Sequence, residues 1–231
     1  MSDTKEPRDT RLVASAALLG LIVVAGIIVV VLRLSGGGGD AGAGGNPEPS
    51  ATQSADSSSV CGLPDSDQAV PSAAAPEATW ELNGKMAQPR SPKYGPGSLA
   101  GGVGSCFAHS PTGALFAAAT YLVDASNPST SDASLRSRFT EGSPEINDPD
   151  DGSVAPTYQI AGYRFDDVTA DRATVAVAVR VTEGPAAGGQ VALTFTMMWE
   201  KDDWRIVVPV DGELPSAGIT SLAGFVPWAG A

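Results

Sequence analysis

The sequence predicts an α+β fold: a single N-terminal transmembrane helix, then a domain whose helices cover a four-stranded antiparallel meander. Three observations carry this expectation. Residues 12–32 read LVASAALLGLIVVAGIIVVVL, 21 positions without a charge. Ser110 and Pro111 open a stretch whose apolar residues recur at helical spacing. From Thr157 onward the apolar residues recur with a period of two.

The uncharged run is as long as the roughly 20 residues that a helix needs to cross about 30 Å of hydrocarbon. A cleaved secretory signal is the competing reading, but its apolar region is usually about 7–15 residues long. Arg33 closes this run, and the Gly-rich stretch behind it offers only a weak Ala41-Gly42-Ala43 cleavage site. Flanking positive charge resists translocation. Lys5, Arg8 and Arg11 precede the span and Arg33 alone follows it, the next cation being Lys85. Residues 1–11 are therefore expected to be a cytoplasmic tail, 12–34 the transmembrane helix, and everything beyond extracytoplasmic. The expected localisation is the cell membrane, single-pass.

Residues 35–59 are mostly Gly, Ala, Ser, Asp and Pro, with no aromatic and no branched aliphatic side chain. Such a segment cannot bury enough apolar surface to offset its chain entropy. It reads as a tether with a reach of roughly 25–30 Å for a flexible chain of its length. Residues 60–105 hold six prolines (64, 71, 76, 89, 92 and 96) with glycines at 95, 97, 101, 102 and 104. That density disfavours helix and central strand. The segment is expected to be an arm packed on the domain, with Trp80 and Leu82 in a short strand or plug. Residues 106–231 are expected to form the α+β domain.

Within it, Ser110 suits a helix N-cap and Pro111 the first helical position. Leu115, Phe116, Ala119, Leu122 and Val123 then form one apolar stripe. A second, weaker helix is predicted over 132–140, with Gly142 as its stop. Four strands come next. The first is Tyr158 to Asp166. The second carries Ala173, Val175, Val177, Val179 and Val181 on one face, the third Val191, Leu193, Phe195, Met197 and Trp199, and the fourth runs from Trp204 to Val208. Their connections, Thr169 to Asp171, Gly184 to Gly189 and Lys201 to Asp203, are short enough for antiparallel hairpins. The apolar tail from Pro209 is expected to pack back on the domain.

Charge narrows the partners. The chain has 14 Lys and Arg against 26 Asp and Glu. Taking away the four cations and three anions up to Arg33 leaves the exterior part near −13. That disfavours nucleic acid and docking on anionic lipid. The two cysteines, Cys61 and Cys106, both fall on the exterior side, where thiols are expected to pair. With the one histidine, His109, they lack the paired spacing of a zinc site. The acidic stretch Asn147 to Gly152 places Pro149 and Tyr158 where an EF-hand loop needs carboxylates, so calcium is not expected.

Nothing in the chain supplies a nucleophile with a base and an orienting group. His109 lies beside the helix cap Ser110, and no phosphate loop, GxSxG or HExxH occurs. No catalytic residue, metal or cofactor is expected. The covering helix and sheet are placed to enclose a pocket lined by Phe116, Tyr121, Phe195, Trp199 and Trp204, although such aromatics are more often core.

The order of a capped helix, a second helix and a long meander closing on KDDWRIVVP resembles the nuclear transport factor 2-like fold over residues 110–209. That resemblance implies a cone-shaped domain. The layout of short cytoplasmic tail, span, tether and exterior domain resembles single-pass scaffold proteins of actinobacterial conjugation and type IV secretion-type systems. The stretch CFAHSPTGALFAAA, residues 106–119, is similar to small membrane proteins of actinobacterial mobile elements. The Pro-rich arm and the cysteine pair depart from that pattern. The implied function is a membrane-tethered, non-enzymatic scaffold or assembly protein of a conjugative transfer or secretion machine. Its expected partners are the lipid bilayer, through the N-terminal helix, and envelope proteins or a second copy. The alternative is an extracytoplasmic ligand-binding domain.

Overall fold

A computed structural model of the chain describes residues 61–145, 157–184 and 186–230. The predicted cytoplasmic tail, the span, the tether and the acidic stretch around Asn147 to Gly152 lie outside the described residues. Among the described residues, no helix is long and apolar enough to cross a membrane.

The arm opens the described chain with two hairpins. Strands β1 (Thr79–Asn83) and β2 (Met86–Arg90) pair antiparallel, as do β3 (Ser98–Ala100) and β4 (Val103–Ser105). Gly101 and Gly102 both take left-handed backbone, at φ +63° and +78°. A two-residue turn that matches the strand twist requires this, and a Cβ would oppose it.

Helix α1 (Pro111–Ala125) comes next, with Ser110 Oγ accepting from Gly113 N at 3.1 Å. The cap and the proline thus sit where the sequence places them. A single apolar stripe does not describe the helix, because every residue from Pro111 to Asp124 is buried. A helix apolar on all sides belongs inside a core. Here the sheet lies on one side and strands β2 and β4 of the arm on the other. The run Ala117-Ala118-Ala119 keeps the helix thin enough to fit between them.

Helix α2 (Asp132–Arg136) is a single turn capped by Ser131. It stops short of the predicted Thr140 because the chain leaves it to pair with the sheet. Ile206 N donates to Arg138 O at 2.8 Å, and Thr140 N to Ile206 O at 3.0 Å.

The remaining strands are β5 (Tyr158–Val168), β6 (Arg172–Val181), β7 (Gln190–Glu200), β8 (Asp203–Ile206), β9 (Ser216–Ile219) and β10 (Val226–Pro227). They form one six-stranded antiparallel sheet in the order β10-β5-β6-β7-β8, with β9 beside β8 on the same edge of β7. Strand β8 pairs with Met197–Glu200 and β9 with Gln190–Leu193, so the long β7 serves two partners end to end.

This overturns the predicted fold class. The domain is mostly β, with ten strands and two helices among the described residues, rather than helices over a four-stranded meander. The extra sheet strands come from the tail. β9 reads SAGI and β10 VP, too short and too small-sided to show alternation. Both faces of β6 are covered: Ala176 and Ala178, opposite Val175, Val177 and Val179, are buried as well.

Cys61 and Cys106 form a disulfide with Cα atoms 5.9 Å apart. It ties the start of the described arm to the residues just before α1. At the other end, Trp228 packs edge-on against Trp80 and Phe116, at 5.1 and 5.2 Å between ring centroids.

Candidate functional site

Four groupings lie around α1, the first two of them buried carboxylates. The first starts at the β7–β8 turn, where Lys201 and Asp202 adopt left-handed backbone and deliver Asp203 inward. Its carboxylate accepts from Cys106 N, Phe107 N and Trp204 N at 3.0 Å each, and from Arg138 Nη1 at 2.7 Å. Arg138 Nη2 also donates to Trp204 O at 2.7 Å. Two successive amides converge on the anion, a common backbone anion cradle. A buried charge needs this degree of pairing. The cluster locks the entry to α1 onto the sheet.

The second is Asp124, at the far end of α1. It accepts from Gly104 N and Gln88 Nε2 at 2.8 Å and from Asn83 Nδ2 at 2.9 Å. Burial pushes its carboxyl above the usual carboxylate range, while the bonds from Gly104 and Gln88 pull the other way. It joins both arm hairpins to the helix.

The third is His109. Its Nε2 lies 2.9 Å from Asp171 Oδ1, and its ring stacks on Trp199 at 4.0 Å with the planes 13° apart. The sequence hides this pair, because the carboxylate lies on the β5–β6 turn far along the chain. A His–carboxylate pair is two thirds of a nucleophilic relay. The neighbouring hydroxyl, Ser110, is fully buried and caps α1, and the sulfur of Cys106 is in the disulfide. The pair therefore has no nucleophile beside it in these two residues.

The fourth is a cavity of about 310 Å³ between the C-terminal half of α1, helix α2 and the sheet. Tyr121, Leu135, Phe139, Tyr158, Phe195 and Leu214 line it, with Asp132 and Arg136 among its charged residues. Tyr121 meets Phe139 at 5.7 Å and Phe195 edge-on at 6.2 Å. Burial holds the Tyr121 and Tyr158 phenols above their ordinary range. The Tyr158 hydroxyl shares a 2.7 Å hydrogen bond with Ser126 Oγ.

Of the five residues that the sequence groups around a pocket, Tyr121 and Phe195 line this cavity. The other three do not. Phe116 is five residues from Tyr121, about 140° around a helix of 3.6 residues per turn. It faces Tyr94 and Trp228 instead. Trp204 is core, its Nε1–H donating to Ala108 O at 2.9 Å. Trp199, further along β7 than Phe195, covers His109. Periodicity assigns a side chain to a face and leaves open which end of that face it occupies.

A wider groove of about 670 Å³ runs along the arm past Thr79, Arg90, Lys93 and Tyr94. Its cations are matched by acids: Arg90 Nε lies 2.6 Å from Glu81, without hydrogen-bond alignment, and Lys93 Nζ lies 2.8 Å from Asp67. Among the described residues, no group of three or more His, Cys, Asp or Glu is arranged to hold a metal ion.

A family model described as a domain of unknown function, DUF8175, matches residues 42–227. No curated protein matches the chain, and no solved structure does.

Proposed function

The chain belongs to the DUF8175 family, and within it we propose a membrane-tethered, extracytoplasmic assembly protein without enzymatic activity. The observation that carries this reading is the Cys61–Cys106 disulfide. Stable disulfides belong to oxidising compartments. That agrees with the side of the membrane to which Lys5, Arg8 and Arg11 assign everything beyond the uncharged run. On this reading the run at 12–32 is the anchor and the Gly-rich segment is the leash.

The buried polar groups support a structural role. Asp203 and Asp124 each bind three or more donors that join separate elements, and His109 lies between Asp171 and Trp199. The resemblance in layout makes a conjugative transfer or secretion machine the assembly that such a protein would join. The test is a pull-down of the full chain from cross-linked membranes. Recovery of a reproducible set of envelope or transfer proteins is expected, and that set should be lost when residues 12–32 are replaced by a cleavable signal. Recovery of no envelope protein overturns the reading.

A further inference from the structure

We infer that the free edge of β9 is a self-association site, where two copies of this chain pair β9 against β9 antiparallel about a two-fold axis at Gly218. This goes beyond the assembly reading and does not depend on it.

The register of the sheet determines which way β9 points its backbone. Thr194 N donates to Pro215 O at 2.8 Å, and further along the same pair of strands Ala192 lies opposite Ala217 and Gln190 opposite Ile219. Hydrogen bonding alternates from residue to residue along an antiparallel strand. Ala217 and Ile219 therefore bond to β7, while Ser216 and Gly218 turn their N–H and C=O groups away from it. Among the described residues, nothing pairs with that outer row. Ser216, Ala217 and Gly218 are exposed, and a Cβ on Gly218 would meet nothing within 4 Å.

An open row of donors and acceptors is a template for another strand, and sheets usually blunt it with charge, proline or a covering segment. The other edges of this sheet do so. On β8, the outer side of Ile206 is taken by Arg138 and Thr140. On the opposite side, β10 carries Pro227, and the end of β5 beyond it presents exposed Arg164, Asp166 and Asp167. β9 has none of these, and residues 214–230 contain no charged side chain. In a chain of net charge −12, this is an edge that two copies can bring together without setting like charges opposite each other.

A second copy fits because the edge is complementary to itself. A two-fold axis at Gly218 sets the outward-facing Gly218 opposite its own counterpart, and such a pair exchanges both of its hydrogen bonds. On one sheet face, Ala217 then lies opposite Ile219 of the second copy, and Ile219 opposite its Ala217, small against large. On the other, Ser216 meets Thr220, the residue after β9, and hydroxyl pairs of this kind add to strand pairing. A contact that uses the same patch on both copies closes as a dimer and does not propagate. The pairing is only a few residues long, so the dimer is a weak one.

The test is sedimentation of the full chain in detergent over a rising concentration series. Wild type, Gly218→Lys, Gly218→Glu and an equal mixture of the two variants are compared. Gly218 is not in left-handed backbone and has open space around it, so both side chains can be accommodated. Wild type is expected to shift from monomer to dimer as concentration rises. Each variant alone opposes like charges across the axis and should stay monomeric. The mixture should regain the dimer, because lysine then faces glutamate. Should a charged variant not fold, cross-linking decides. Opposed residues of a hydrogen-bonded pair lie about 5.5 Å apart between Cα atoms, within the roughly 4.4–6.8 Å that a disulfide spans. Gly218→Cys should therefore give a covalent dimer on oxidation in membranes. A monomeric wild type, a dimer that persists in Gly218→Lys, a mixture of folded variants that stays monomeric, or no cross-link through Gly218→Cys overturns the proposal.

Discussion

At the scale of single residues, the strongest commitments are two buried carboxylates, and they differ in how they are balanced. Asp203 has a full cationic partner in Arg138 and three backbone donors. Replacing it by alanine would leave Arg138 buried without its anion and three N–H groups without an acceptor. Breaking a buried pair on one side costs about 3–5 kcal/mol. A loss of that order is expected for Asp203→Ala in urea unfolding. Asp124 has only neutral donors within hydrogen-bond reach, and burial raises its pKa above the unfolded value of 3.8. The folded state then holds this proton more tightly than the unfolded state does. Its contribution is greatest below the unfolded value and is lost as pH rises through the folded one. The stability margin of wild type over the non-titrating Asp124→Asn should shrink as pH rises from about 4 toward 7. A margin that widens over that interval would contradict the assignment.

At the scale of elements, helix α1 shows how context reverses a local rule. Glycine inside a helix costs about 0.5–1 kcal/mol relative to alanine, so Gly113→Ala should stabilise an isolated helix. In this fold a Cβ on Gly113 would lie 1.9 Å from Ala108 O, in backbone that the cap and the Asp203 cluster hold in place. Gly113→Ala is therefore expected to lower the melting temperature, and a rise would show that the entry to α1 can move aside. Most elements near this point were legible in the sequence. Ser110 and Pro111 announced the helix start, and the alternation of β6 and β7 established which side chains share a face. What periodicity could not convey was coverage. The stripe on α1 implied one buried side, but hairpins built from Pro- and Gly-rich sequence bury the other. β9 and β10 stayed hidden because Ala217, Gly218 and Pro227 carry no alternating signal, and that omission turned a six-stranded sheet into an expected four.

At the scale of the whole molecule, the candidate cavity was only half legible. Tyr121 and Phe195 are two of the five residues that the sequence groups around a pocket, but Leu135 lies on a one-turn helix, Phe139 on the segment after it and Leu214 in a tail with no regular pattern. The His109–Asp171 pair likewise depends on a turn far from the histidine in sequence. Long-range closure is what local patterns lack, and the cysteines are the exception, since with only two in the chain the pairing follows once they are expected to be oxidised. The resulting bond spans a sequence separation of 45 and closes the arm over α1. In the chain-entropy account, a loop of that length removes roughly 4 kcal/mol of unfolded-state freedom. Reduction of the wild-type protein should lower its urea midpoint accordingly, whereas the Cys61→Ser/Cys106→Ser variant should start low and not respond to reductant. If reduction leaves the wild-type midpoint unchanged, the arm is held by β2, β4 and Asp124 alone. Set against a typical stability margin of about 5–15 kcal/mol, a loss of that size is a substantial share, so the melting behaviour of the domain should depend visibly on the redox state of this bond.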